Sequence, residues 1–151
     1  MTDAPAAAHD SSGAQAARTG GCLCGGVRYR LDQPPLWVAH CHCGMCRRAQ
    51  GAGFVTWAGF AEDAFGFLAG ADQVSRYRSS EAAVRSFCSR CGSPLFFQSS
   101  RWPGEIHVTL ASLDSSDGLE PQAHAYWSSH APWLGWDGGD LPRVEPDNEN
   151  P

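Results

Sequence analysis

Residues 41–47 read Cys41-His42-Cys43-Gly44-Met45-Cys46-Arg47, and a cysteine pair stands on either side of that run, Cys22-Leu23-Cys24 before it and Cys88-Ser89-Arg90-Cys91 after it. All seven cysteines of the 151-residue chain thus fall into three short clusters. A tetrahedral structural zinc takes four thiolate or imidazole ligands, commonly as two close pairs on separate turns, each gripping the ion from one side. Cys22/Cys24 and Cys88/Cys91 make such a set. Residues two apart on an extended segment face the same way, so Cys22 and Cys24 suit a strand edge. Gly25-Gly26 lets the backbone turn around a metal, and Gly92 follows the second pair as in zinc knuckles.

The three cysteines left over, Cys41, Cys43 and Cys46, would leave a tetrahedral ion one open position, and open positions are where catalytic zinc works. Two zinc ions per chain are therefore expected, one structural and one catalytic. His40 and His42 flank this cluster, and either could close it into an inert site; free thiols are the remaining alternative. Three thiolates on a dication leave a net negative complex, which acidifies bound water less than three imidazoles would. Holding a soft substrate thiol beside an electrophile suits such a site better than hydrolysis.

Outward from the cysteines the pattern is that of strands. Val27, Tyr29 and Leu31 alternate with Arg28 and Arg30, the period of a strand with one wet face, and Pro34-Pro35 breaks it. Residues 36–42 form a second extended run into the central cluster, and residues 47–50 predict one helical turn that Gly51 stops. Further strands are expected over 54–60, 74–78, 84–88, 95–98 and 106–110. With 17 Gly, 10 Pro and 6 Trp, the fold class is mainly β, a small β-sheet domain organised around zinc sites. One folded unit is expected over 20–142, between a disordered tail at 1–19 and a disordered acidic tail at 143–151.

Charge and composition exclude several functions. Five of the sixteen acids lie after Trp136, so the folded part is nearly neutral and has no basic footprint for nucleic acid. All eleven basic residues are Arg, which rules out lysine Schiff-base chemistry and a P-loop lysine. No stretch is long and apolar enough to span a bilayer, and the first nineteen residues lack the apolar block of a signal peptide. A cytoplasmic location, where seven cysteines point to metal before disulfides, is the expectation.

These landmarks resemble the glutathione-dependent formaldehyde-activating enzyme family, which shares a zinc-bound β fold with the Mss4-like proteins. Gly21-Cys22-Leu23-Cys24-Gly25-Gly26-Val27 looks like the family's opening, and Cys41-His42-Cys43-Gly44-Met45-Cys46-Arg47 with Gly51 looks like its central cluster. Tyr77-Arg78-Ser79-Ser80, Arg85-Ser86-Phe87-Cys88 through Gly92, Ser112-Leu113-Asp114, Pro121 through His124, Pro132-Trp133 and Leu141-Pro142 follow in the family's order. The resemblance implies the same division into structural and catalytic zinc ligands. It also implies a carbon-sulfur lyase that adds a glutathione thiol to formaldehyde. His42 and Arg47, adjacent to the cluster, and Arg85, brought in by the resemblance, are candidate polar groups at the catalytic zinc. The partners expected are a small-molecule thiol and an aldehyde, with no nucleic acid and no membrane; the oligomeric state is not readable.

Two other classes compete with this reading. A non-catalytic zinc-binding interaction module, as the Mss4-like relatives allow, would use Trp57, Trp102, Trp127, Trp133 and Trp136 as a partner surface. A CxxC oxidoreductase using Cys43/Cys46 or Cys88/Cys91 fits by spacing but lacks a βαβ context. His107, His124 and His130 read as hydrogen-bonded structural residues.

Overall fold

Alternating sequence becomes two packed sheets in the computed structural model, which describes residues 17–145. The strands are β1 (Arg18–Gly21), β2 (Arg28–Leu31), β3 (Trp37–Cys41), β4 (Val55–Ala61), β5 (Phe65–Ala69), β6 (Val74–Arg78), β7 (Ala83–Cys88), β8 (Pro94–Ser99), β9 (Glu105–Thr109), β10 (His124–Ala125) and β11 (Arg143–Val144). One α-helix, α1 (Gly44–Gln50), lies between β3 and β4. The mainly β class holds. The strands begin at Arg18 and end at Val144, so the folded unit reaches two residues further at each end than expected. Residues 1–16 and 146–151, most of the two expected disordered tails, lie outside the described residues.

β1, β2 and β5 form a small sheet; the larger one runs β11-β10-β3-β4-β9-β8-β7-β6. Neighbours pair antiparallel except β10, which is parallel to both β3 and β11. Apolar residues on alternate positions must leave water together, and they do so between the sheets: Val27, Tyr29 and Leu31 meet Val38, Ala58, Phe60, Phe96, Ile106 and Val108. The Tyr29 ring stacks on Phe65 and meets Phe96 edge-on, with centroids 5.6 and 5.1 Å apart. Its hydroxyl reaches Ser112 Oγ at 2.7 Å, which satisfies the one polar atom in that core.

The opposite face of the large sheet carries a second apolar cluster: Cys41, Val55, Trp57, Ala83 and Phe97, with Cys43 and Cys46 of the α1 turn laid over it. Gly59 makes room there, because a Cβ would sit 2.3 Å from the Trp37 indole that crosses it. α1 has Cys43 at its N-cap, ends in the left-handed Gly51 (φ 61°), and has Arg47 and Arg48 in its last turn, where cations complement the exposed carbonyls. The helical turn expected over 47–50 is thus the second half of a seven-residue helix.

Candidate metal and active site

Two cysteine sites stand on different faces of the large sheet. In the first, Cys22 and Cys24 on the β1–β2 turn meet Cys88 at the end of β7 and Cys91 on the turn after it, as the spacing predicted. The four sulfurs all lie within 4.8 Å of one another, with Cys22–Cys24 at 3.5 Å and Cys24–Cys88 at 3.9 Å. Sulfurs around a tetrahedral ion of zinc's size stand about 3.8 Å apart, so this donor set fits a metal. The surrounding chain is arranged for thiolates: Val27 N donates to Cys22 Sγ (3.2 Å), and Ser93 Oγ lies 3.2 Å from Cys91 Sγ. The Ser93 hydroxyl, followed by its backbone amide, brings the Cys91 thiol down to about 5.

The second site gathers Cys41, Cys43 and Cys46, all buried. Hydrogen bonding among the three thiols holds Cys43 well below the ordinary thiol range and drives Cys41 up, as befits a cluster that shares negative charge. The amides of Met45 and Cys46 also point at the Cys43 sulfur. Arg85, on β7, donates from Nη2 to Cys46 Sγ at 3.5 Å while its guanidinium lies 5.0 Å over the Phe97 ring. Its Nη1 is buried with no partner. The four-cysteine set offers a full tetrahedron of donors, whereas Cys41, Cys43 and Cys46 supply three, and a tetrahedral ion there would take its fourth ligand from elsewhere.

The flanking residues divide. His40 and His42 do not share the thiols' side of the strand, so closure of the second site by histidine is corrected: alternation turns them to the other face. There His40 Nδ1 lies 2.9 Å from Thr56 Oγ1, and His42 Nε2 lies 2.8 Å from His124 Nδ1. His124 Nε2 donates to Gly138 O (2.9 Å), and in the neutral ring Nδ1 is then the acceptor of a hydrogen bond from His42 Nε2. Burial, with the neighbouring His124 second, lowers His42 to about 4. Arg47 donates to the His42 carbonyl (3.2 Å) and lines a separate surface cleft with Gly44, Ala52 and Trp133. His107 and His130 are hydrogen-bonded structurally, to Glu105 (3.0 Å) and to the Trp127 carbonyl (2.8 Å).

Two cavities lie near the cluster, one bordered by Cys41 and Cys46, the other joined to it through Trp57. A chamber of about 270 Å³ is bounded by Cys41, Cys46, Trp37, Trp57, Phe97, Trp102, His107 and Tyr126. A larger cleft of about 510 Å³ runs along α1 past Met45, Arg48, Tyr77 and Arg85, and shares Trp57 with the chamber. The expected tryptophan surface is corrected: Trp57 is buried, Trp102 lines the chamber, and Trp127 stacks on His130 at 4.5 Å, leaving Trp133 and Trp136 exposed. Tyr126 was not anticipated from sequence. Its hydroxyl is buried and unpartnered, and burial, with Cys41 next, pushes it up to about 12.

Comparison with known proteins bears on the same residues. The family profile of the glutathione-dependent formaldehyde-activating enzyme matches residues 17–129. A Halomonas elongata protein whose name assigns it provisionally to those enzymes is 31% identical over 124 residues, covering 76% of this chain and 78% of that one. An uncharacterized lyase of Schizosaccharomyces pombe is 30% identical over 80 residues, 52% of this chain and 55% of its own. In fold, the chain is similar to the crystal structure of a Rhodobacter sphaeroides protein, with a TM-score of 0.57 and 24% identity over 83% of this chain and 99% of that one.

Proposed function

The chain belongs to the glutathione-dependent formaldehyde-activating enzyme family, and on that premise we propose that it is a zinc-dependent carbon-sulfur lyase that adds a thiol reversibly to formaldehyde or another small aldehyde. The observation that carries this reading is the position of Cys41, Cys43 and Cys46, buried together, with Cys41 and Cys46 on the wall of the smaller cavity and Arg85, from the lining of the larger cleft, against Cys46. Structural zinc is assigned to Cys22, Cys24, Cys88 and Cys91, and catalytic zinc to the other three.

Zinc held by Cys41, Cys43 and Cys46 would supply a soft Lewis acid that favours a substrate thiol in its deprotonated form. The chain's own residues account for the rest. Arg48 and Arg85 line the larger cleft, and their positive charge suits an anionic thiol such as glutathione. Aromatic side chains line the cavity beside Cys41 and Cys46, and charge interactions gain strength against such apolar walls. In the forward direction a sulfur–carbon bond forms, the carbonyl π pair moves to oxygen, and the proton lost by the thiol ends there; the lyase direction reverses each change.

The test joins metal content to turnover. Wild type purified under mild conditions is expected to hold close to two zinc ions per chain and to consume formaldehyde only with a thiol present. Cys43→Ser is expected to hold one and to consume none. One zinc in wild type with three freely titratable thiols would sink the catalytic reading. Two zinc ions with no response to thiols would favour the interaction module.

A further inference from the structure

We infer that the chamber beside the three cysteines is an aldehyde subsite for substrates bearing a compact apolar group, with the Tyr126 hydroxyl as the hydrogen-bond donor to the carbonyl oxygen. The inference rests on the proposed function and deepens it. It begins with a backbone anomaly: among the described residues Tyr126 is the non-glycine residue with positive φ (φ 55°, ψ 44°). A bulky residue holds that left-handed conformation only when its surroundings over-determine it, and such strain gathers at functional sites. Here they do. Tyr126 N donates to Val144 O (2.9 Å), Ser129 N donates to Tyr126 O (3.1 Å), and the preceding Ala125 O accepts from His42 N (2.9 Å).

This pinned residue puts a phenol where a phenylalanine would pack without loss. Tyr126 lines the chamber together with Cys41 and Cys46, its hydroxyl is buried without a partner, and a buried hydroxyl without a partner is costly. A carbonyl oxygen entering the chamber would supply the missing acceptor. Two other donors on the wall, Trp37 Nε1 and His107 Nε2, are already engaged by Glu105 Oε2, each at 3.0 Å.

The chamber's size and walls then select the rest of the substrate. Formaldehyde is little larger than a water, whose share of liquid volume is about 30 Å³, whereas the chamber holds about 270 Å³. Trp37, Trp57, Phe97 and Trp102 offer the remaining space to an apolar substituent rather than to a charged one. In the reaction the thiol sulfur bonds to the carbonyl carbon and the π pair moves to the oxygen. Tyr126 stabilises the developing charge by hydrogen bonding and keeps its own proton; the proton released by the thiol reaches that oxygen through solvent.

The experiment compares wild type with Tyr126→Phe, loaded with zinc, using formaldehyde and propanal at fixed glutathione and benzaldehyde binding without thiol. Wild type is expected to favour propanal over formaldehyde by tenfold or more in kcat/KM, as an added apolar group in a fitted pocket allows at about 10-fold or above. Tyr126→Phe is expected to lose about 100-fold in kcat, with a smaller change in KM and with zinc content and melting temperature unchanged. Benzaldehyde should quench tryptophan fluorescence saturably, and more weakly in the variant. Wild-type kcat in Tyr126→Phe, formaldehyde turned over as well as propanal, or no saturable quenching would each overturn the inference. A wild type inactive on every aldehyde sinks the proposed function itself; quenching weakened by Tyr126→Phe would still support the subsite, and its absence would overturn that too.

Discussion

The two cysteine sites use the same side chain to opposite ends. The four-cysteine site takes its ligands from two turns, with Cys24 and Cys88 64 positions apart, and sits against the main core beside Val27 and Leu95. It has a full set of donors, and nearby backbone amides and Ser93 serve its sulfurs. The three-cysteine site takes all its sulfurs from one short stretch, from the end of β3 into the first turn of α1, lies on the other face of the sheet, and borders a cavity through Cys41 and Cys46. Closing a long loop through a metal contributes to folding, because the site exists only in the folded chain. A local cluster with an incomplete donor set closes almost no loop and leaves room for a ligand. Sequence separation of the ligands thus separates a site that holds the fold from one that the fold holds.

The largest expected effect breaks the first site. Cys88→Ser removes a fully buried ligand, and metal binding at structural sites is worth on the order of 10 kcal/mol of folding free energy, about the whole stability of a domain. The variant is expected to be insoluble or to show no cooperative melt in calorimetry. A soluble Cys88→Ser protein with a sharp transition would remove the structural assignment. Cys43→Ser sharpens the contrast from the other side: its zinc content and its activity should fall as described above, while the melting temperature moves by less than about 5 °C, roughly 1–2 kcal/mol.

How much of this was legible in sequence follows the same division. The grouping of the four-cysteine site could be read from spacing, because Cys22/Cys24 and Cys88/Cys91 announce themselves as local pairs and the fold brings their sulfurs together. The strands with clean alternation, such as residues 27–31, could be read too. β5 could not: Phe65-Gly66-Phe67-Leu68-Ala69 has no alternation and lies half on the surface, held by β2. β10 and β11 are two residues each and exist only through their pairing with distant chain. At the second site, adjacency misled. His42 stands between two of the cysteines, yet alternation sends it to His124, 82 positions away, while Arg85 reaches Cys46 across 39 positions and was suggested only by family resemblance. Tyr126 gave no sign, since its left-handed backbone is ordinarily a glycine's.

An intermediate effect tests the assembly behind the second site. The tail was expected to be dispensable after Pro142, but Arg143 and Val144 pair with β10, and the Arg143 guanidinium lies 4.6 Å over the Trp127 ring. Truncation after Glu145 should leave stability unchanged. Truncation after Pro142 removes a backbone bond, a cation–π contact, the Arg143 bond to the Asp137 carbonyl and two Ser128 hydrogen bonds to Glu145, each about 1 kcal/mol or less, and should lower the melting temperature by about 4–10 °C. Because β10 pairs with the end of β3 at Cys41, the loss should appear as faster hydrogen exchange at residues 41–46 and not at 22–27. Equal exchange at both cysteine sites would show that they are not separately supported.

The smallest effect belongs to the four-cysteine side and depends on pH. Asp114 accepts from Arg28 through both carboxylate oxygens and from Thr19 Oγ1 at 2.5 Å, tying the β1–β2 pair to the turn after β9. The Arg28 hydrogen bonds, followed by that of Thr19, bring the Asp114 carboxyl down to about 2, against about 3.8 ordinarily. The folded state therefore favours the ionised form. The stabilisation is complete above the unfolded value near 4 and is lost as pH falls from there through about 2. Both side chains are more than a third exposed, at 35% and 46%, so solvent screening cuts the worth of the pair to under about 1 kcal/mol. Asp114→Asn should lower the melting temperature by at most about 3 °C at pH 7 and by progressively less as pH falls from 4 toward 2. Because the ion pair lies outside both cysteine sites, zinc content should stay at the wild-type value at neutral pH. A constant difference across that pH window would mean that Asp114 acts through its neutral hydrogen bonds, and that the first site owes nothing to this charge.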